Sequence, residues 1–509
     1  MLLIFTTMKK ISIIICFSFC FISCQKEFVD LQPISEMNVK NFYQTEGDMN
    51  QAVMSAYASL HPLYNQPYIY IGEIRSDNTT FSWVPGNSQD MVSIDNFRTP
   101  LLNDNGNVLS VWNNSYNSIL RSNIVLDKID AITFSDKSLQ DQYKAEARFI
   151  RASTYFWLVR TYGDVPKVDH ELSLVEAYDL GRAPAQEIYD LIVEDLKFAE
   201  ANLRESYSAV DNGRVTIGGA KGLLAKVYMT MAGYPLKKGT PYYELAEGKA
   251  LEVINMGQYF LVPNYKNLFS VENKNSSESL FEIQYKKGGT ETGSSWNNDF
   301  APRFSTNEVV LVGTKSGFNA PTVSMSMAYE SGDPRKEISM SDGYVSAVDG
   351  EFIAEKYVSK YYDVSFSERD NDNNWIELRL ADIYLLYSEA LVRQNKQFDV
   401  ALIYLNKIRQ RARNSVEGGA SVPSDYSPFS SDLEFLLAIE KERRVELAFE
   451  NHRWFDLVRT ERAKTVMSAE QEAQNGFNPS SWDDNMLLFP IPLEVIQSNP
   501  EKITQNPGY

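Results

Sequence analysis

Cysteine is confined to one end of this chain. All three, Cys16, Cys20 and Cys24, fall in the first 24 of 509 residues. The remainder therefore has no disulfide, no thiolate metal site and no thiol nucleophile. Histidine is equally scarce: His61, His170 and His452 are far apart and form no HExxH pairing, which argues against zinc hydrolysis and against a Ser-His-Asp triad. Basic residues are in deficit, 49 Lys and Arg against 67 Asp and Glu, for a net charge of −18. Such a chain repels a phosphate backbone, so no nucleic-acid partner is expected. No polybasic run is present to hold an anionic membrane surface. Long apolar runs are missing as well; Ile11 to Ile22 is shorter than the ~20 residues that cross a bilayer.

That short run has another use. Translation starts at Met1 or Met8, and from Met8 the chain reads MKKISIIICFSFCFISC. Two lysines followed by a short apolar stretch fit a secretory signal peptide. FISC, with a small residue directly before Cys24, resembles a bacterial lipobox, in which the cysteine is acylated and becomes the first mature residue. The alternative is ordinary secretory cleavage. Loss of residues 1–23 takes Lys9 and Lys10 with it, moving −18 to −20. A lipid on Cys24 would anchor the body to a membrane it never enters.

What the chain has in quantity is aromatic residues, 12% of the total with 29 Tyr, and helical periodicity. Ala145, Phe149, Ala152, Phe156 and Val159 make one stripe in AEARFIRASTYFWLVRTYGDVPKV, widened by Ile150, Trp157 and Leu158. This predicts a helix packed on more than one side. Gly163 and Pro166 end it, and Arg148, Arg151 and Arg160 must find partners or snorkel. Helices are also expected over Glu46–Leu60, Val108–Ile129, Ile217–Ala232, Tyr242–Met256, Leu378–Gln394, Val400–Arg413 and Asp432–Glu450, with another through EIYDLIVEDLKFAEANL. Tyr64–Leu102 lacks helical period and, at about 40 residues, is too long for an idle connection. The chain reads as a helical region over 24–258, an irregular loop-rich region with a few short strands over 259–376, and a helical region over 377–509, with 24–509 forming one compact body.

The charged helix IEKERRVELAFENHRWFDLVR invites a catalytic reading through Glu440, Glu442, Glu446 and Glu450. Glycoside hydrolysis, however, uses two carboxylates facing each other across a sugar. Glu440–Arg444 and Arg443–Glu446 instead have the spacing of local ion pairs. No catalytic residue, cofactor or metal site is expected.

EARFIRASTYFWLVRTYGDVP, GRAPAQEIYDLIVEDL, GLLAKVYM, LRLADIYLLYSEAL, ALIYLNKIRQRA, IEKERRVELAFENHRWFDLVR and the terminal LFPIP…QNPGY occur in this order across the chain. Together with FISC they resemble the SusD/RagB family of outer-membrane nutrient-binding lipoproteins of Bacteroidetes. The resemblance implies a mainly α fold of tetratricopeptide-like helix pairs with a loop-rich part packed against it. It also implies a SusC-like TonB-dependent transporter as partner and a glycan, or sometimes a peptide, as ligand. A surface hydrolase and a purely protein-binding helical adaptor are the competing classes.

Sugar binding needs flat aromatic faces flanked by hydrogen-bonding groups. Trp112, Trp157 and Trp454 lie in amphipathic helices, Trp375 opens a helix and Trp482 lies in the C-terminal segment, so a structural role is expected for these five. Trp83 and Trp296 sit in polar loops, SDNTTFSWVPGN and GSSWNNDFAPR, and are the expected stacking platforms. Asp77 and Asn78 beside Trp83, and Asn297 and Asn298 beside Trp296, are the expected hydrogen-bonding neighbours.

Overall fold

The structure is a computed structural model that describes residues 42–65, 67–81, 89–98, 100–365 and 367–509. Cys24 and Trp83 fall outside the described residues. Its long helices are α1 (Glu46–Ala58), α2 (Gly106–Lys128), α3 (Lys137–Tyr162), α4 (Ala185–Asn202), α5 (Ile217–Ala232), α6 (Thr240–Asn255), α7 (Leu380–Arg393), α8 (Phe398–Arg413) and α9 (Asp432–Glu446), followed by the short α10 (Arg453–Arg459) and the longer α11 (Ala463–Asn475). Several starts are fixed by a capping side chain. At α1, Thr45 Oγ1 accepts from Asp48 N at 3.2 Å while Thr45 N donates to Asp48 Oδ2 at 2.8 Å, a reciprocal capping box. Asp136 caps α3 and Ser431 caps α9 in the simpler one-way manner.

The helices stack in succession, α1 on α2, α2 on α3, and so on through α6 on α7 and α7 on α8, with α9 also against α7. This is the helix-pair scaffold that the family resemblance implies. Its centre is α3, where every side chain from Phe149 to Tyr162 is buried. Gly163 ends the helix at φ +73°, and a Cβ there would lie 2.9 Å from Leu488. The three arginines of the helix are all accommodated. Arg151 makes two 2.8 Å bonds to Asp195 of α4, Arg148 lies over the ring of Phe198, and Arg160 is stacked among Phe156, Trp157 and Phe455.

Between α6 and α7 the chain leaves the scaffold and returns. Among the described residues the strands are β1 (Thr79–Thr80), β2 (Ser279–Ile283), β3 (Ala320–Pro321), β4 (Met340–Ser341), β5 (Tyr344–Val345), β6 (Phe352–Ile353), β7 (Tyr357–Val358) and β8 (Trp375–Arg379). They pair antiparallel as β1–β3, β2–β8, β4–β7 and β5–β6. The β2–β8 pair closes the excursion at its base, and α6 and α7 are neighbours in space on either side of it. One apolar cluster runs through all of these parts, from Ala56 to Ile503.

Two expectations need correction. Tyr64–Leu102 is not a solvent-facing loop where it is described. It forms short helices, including a π-helical turn over Tyr70–Ile74, and buries Tyr64, Tyr68, Ile69, Tyr70, Ile71 and Ile74. A segment covered on all sides shows no polar face, so no helical period survives in its sequence. The helix expected to reach Glu450 ends at Glu446, because Phe449 and Asn451 adopt φ of +65° and +66°. Their amides donate to Glu73 at 3.1 and 2.8 Å, which fixes the turn.

Candidate functional site

The sequence places Asp77 and Asn78 just before Trp83, and both prove to be buried fasteners. Asp77 is 2% exposed and receives Arg453 Nε on Oδ1 at 2.8 Å and Arg453 Nη2 on Oδ2 at 3.0 Å, with Arg444 Nη2 3.1 Å from Oδ2. Burial pushes its pKa up, but Arg453 and Arg444 outweigh that and hold it below the ordinary value. Asn78 donates to Glu73 Oε1 at 2.8 Å and accepts from Arg444 Nε at 3.0 Å. Beyond them, Thr80 Oγ1 and Phe81 N both donate to Asp95 Oδ2, at 2.7 and 3.1 Å. Asp77 and Asn78 thus pin the chain before Trp83, and their polar atoms are engaged within the protein rather than offered to a ligand.

Trp296 is corrected more sharply. It opens a short buried helix, Trp296–Phe300, and is 0% exposed. Its ring packs edge-on to Tyr285 at 4.9 Å and against Trp375 at 5.3 Å, and Nε1 donates to Tyr64 O at 3.4 Å. No face is open to a sugar ring. Its neighbours are spent in the same way. Asn297 Nδ2 donates to Asp363 O, Ser365 Oγ and Asn371 Oδ1. Asn298 donates to Val312 O at 2.7 Å and accepts from Arg369 N at 3.0 Å. The polar run around Trp296 is an internal hydrogen-bond network that looks, in sequence, like a solvated loop. The other five tryptophans are buried, consistent with the structural role expected of them, although Trp375 lies in β8 rather than at the start of a helix.

The rings that the loop-rich part does expose are different ones. Phe304 is 71%, Phe352 61%, Phe260 60% and Tyr362 56% exposed. The segments of Phe304 and Tyr362 lean on the Trp296 helix. Gly317 N, at the end of the loop carrying Phe304, donates to Ala301 O at 2.9 Å, and Asp363, next to Tyr362, accepts from Asn297. Neither ring carries a sequence signal that marks it; exposure alone separates them from the many buried aromatics.

The carboxylates of α9 are structural, with partners other than the local ones expected. Glu446 is 0% exposed and meets three guanidiniums: Arg335 Nη1 at 3.0 Å, Arg379 Nη1 at 2.7 Å, and Arg411 Nη2. Burial alone raises its pKa, but Arg411, Arg379 and Arg335 more than compensate and hold it at about 2. Glu442 pairs with Arg335 at 2.6 Å and Arg409 at 2.8 Å, and Glu450 with Arg379 and Lys360, each at 2.7 Å. Arg443 goes to Asp382 and Asp456, Arg444 to Asp77, and Glu440 to Arg453 and Arg462. His452 takes part through Lys226, 2.8 Å from Nδ1; burial first, then Lys226, push its pKa down to about 3. Carboxylates committed in this way hold helices together and are not poised for acid–base chemistry.

Comparison with known proteins agrees with the architecture. The SusD family model matches residues 340–509, and the model described as "Starch-binding associating with outer membrane" matches residues 27–229. SusD-like protein P25 of Formosa agariphila is 28% identical over 555 aligned positions, covering 98% of this chain and 100% of the relative. A SusD superfamily protein from Parabacteroides distasonis superposes with a TM-score of 0.78 at 28% identity, covering 91% of this chain and 99% of its own. A laminarin binding SusD-like protein gives 0.75 at 26% identity, covering 92% and 100%. With both ends of the chain matched and the helix-pair scaffold shared along its length, this protein belongs to the SusD/RagB family.

Proposed function

We propose that this protein is a cell-surface lipoprotein of the outer membrane that binds oligosaccharide without turning it over and passes it to a SusC-like TonB-dependent transporter. The observation that carries the reading is the whole-length relationship to SusD-like proteins, one of them described as laminarin binding. The description of the N-terminal family model, which names starch and the outer membrane, supports both ligand class and location. The commitment of the α9 carboxylates to guanidiniums supports binding without hydrolysis. Trp83 is the stacking platform in this reading, on a segment whose base Asp77 and Asn78 anchor, and Phe304 and Tyr362 supply further rings. Cys24 carries the lipid.

Affinity electrophoresis through laminarin, starch and other neutral glycans tests the ligand class. Retardation in at least one gel, reduced about tenfold or more in Trp83→Ala, is the expected result, since stacked aromatics contribute roughly 1–3 kcal/mol. No retardation by any glycan would refute glycan binding, and unchanged retardation of Trp83→Ala would remove that residue from the site. Cys24→Ala should abolish acyl labelling and release the protein from the membrane, and the wild-type chain should co-purify with a TonB-dependent transporter.

A further inference from the structure

A cavity lies where the C-terminal end of α3 meets α4, α5, α10 and the end of the chain. Its volume is about 270 Å³, near the lower end of the ~300–1,000 Å³ range of small-molecule pockets. Arg160 of α3, Tyr189 of α4 and Arg182 line its polar side; Val159, Phe455 and Leu488 contribute apolar wall.

The polar side is left incomplete by the protein. Arg160 is 9% exposed and uses Nε on Phe156 O at 2.9 Å, but its buried Nη2 has no protein acceptor. Tyr189 is 0% exposed, and its Oη likewise has no protein partner. A buried donor left unsatisfied is costly, the more so when it is charged. Two such atoms on one cavity are a standing demand for an acceptor.

Charge points the same way. Among the described residues, neither Arg160 nor Arg182 has a carboxylate within 4.0 Å. Arg182 gives its donors to neutral acceptors, Asp164 O and Thr504 O at 2.8 Å and the amide oxygen of Asn506. The third guanidinium on the lining, Arg459, is neutralised by Glu389 at 2.6 Å and Asp456 at 2.9 Å. The lining carboxylate, Asp164, is exposed and accepts from Ala185 N at 2.8 Å. The buried Glu377 acts on Arg160 only through space, its oxygens being taken by Tyr68 at 2.8 Å and Trp157 at 3.3 Å rather than by the guanidinium. The cavity therefore combines two guanidiniums without a direct carboxylate partner, two free donors and an apolar wall.

From this geometry we infer a binding site for a small oxyanion, a carboxylate or sulfate on a compact body, whose oxygens bridge Arg160 Nη2 and Tyr189 Oη beside Arg182. The site goes beyond the proposed capture of neutral glycan and does not depend on it.

Isothermal titration of the full-length mature protein with D-glucuronate and with inorganic sulfate, at matched ionic strength and with D-glucose as the neutral control, tests the inference. Saturable binding of glucuronate or sulfate, but not of glucose, is expected, and the better of the two ligands tells whether the oxyanion is a carboxylate or a sulfate. Arg160→Gln should abolish it but also disturbs a ring stack, so Tyr189→Phe is the decisive variant. It removes a hydroxyl that holds no protein partner, so folding should be unchanged. A hydrogen bond to a charged group is lost, which predicts about tenfold weaker binding. The absence of saturable binding by either anion, equal binding of glucose, or unchanged affinity in Tyr189→Phe would each overturn the inference.

Discussion

Replacing Glu446 by Gln keeps the shape of the side chain and deletes its charge where three guanidiniums converge. Glu446 is 0% exposed, and Arg335, Arg379 and Arg411 all donate to it. Its pKa falls from an ordinary 4.5 to about 2. At 1.36 kcal/mol per pH unit, that gap corresponds to about 3 kcal/mol of stability at neutral pH. Breaking a buried ion pair by removing one partner costs about 3–5 kcal/mol, an independent figure of the same size. The sign follows from the direction of the shift. A carboxylate depressed in the folded state contributes fully above its unfolded value of 4.5 and loses that contribution as pH falls towards about 2. Urea unfolding followed by tryptophan fluorescence, run on wild type and Glu446→Gln from neutral pH down to about 3, reads both parts. The variant should be less stable by about 3 kcal/mol at neutral pH, and the two curves should converge on acidification. A difference below about 1 kcal/mol at neutral pH, or one that stays constant as pH falls, would refute the assignment of the charge to stability.

Two further substitutions separate scaffold from recognition. Trp296→Leu should lower stability by about 3 kcal/mol or more, by opening a cavity among Tyr285, Tyr361 and Trp375; glycan retardation of the folded fraction should stay at wild-type level, measured on the same gels as Trp83→Ala. Gly233→Ala would set a Cβ 2.1 Å from the carbonyl oxygen of Arg459, which also accepts from Tyr234 N at 3.0 Å. Backbone cannot yield as a side-chain tip does, so a loss of about 1–3 kcal/mol is expected in the same denaturation assay.

Helices such as α4 were legible because they keep one polar face, and the stripe on EIYDLIVEDLKFAEANL reappears as the buried Ile188, Ile192, Leu196 and Ala199 of α4. Legibility failed where that contrast is missing. Tyr64–Ile74 is buried nearly all round, so its helical turns leave no period. Around Trp296 the error ran the other way, because Asn297, Asn298 and Asp299 are polar yet almost wholly buried and satisfied internally. Burial depends on what folds over a segment, and here that cover arrives from Tyr361 to Trp375. The ion pairs of α9 were misread for a related reason. Spacing along one helix favours neighbours three or four residues away, whereas Glu446 pairs with arginines 35, 67 and 111 residues distant.

The β2–β8 pair gives the molecule an economy of change. It clasps the two ends of an excursion of about 90 residues together, against helices that already touch each other without it. Once that clasp is made, the cost of a longer excursion grows only with the logarithm of its length, about 0.6 kcal/mol for each doubling. A lineage can therefore lengthen or trade the exposed stretches beyond the clasp, such as the one carrying Phe304, while the buried residues that fasten the excursion to the helices, Arg335 and Trp296 among them, stay in place.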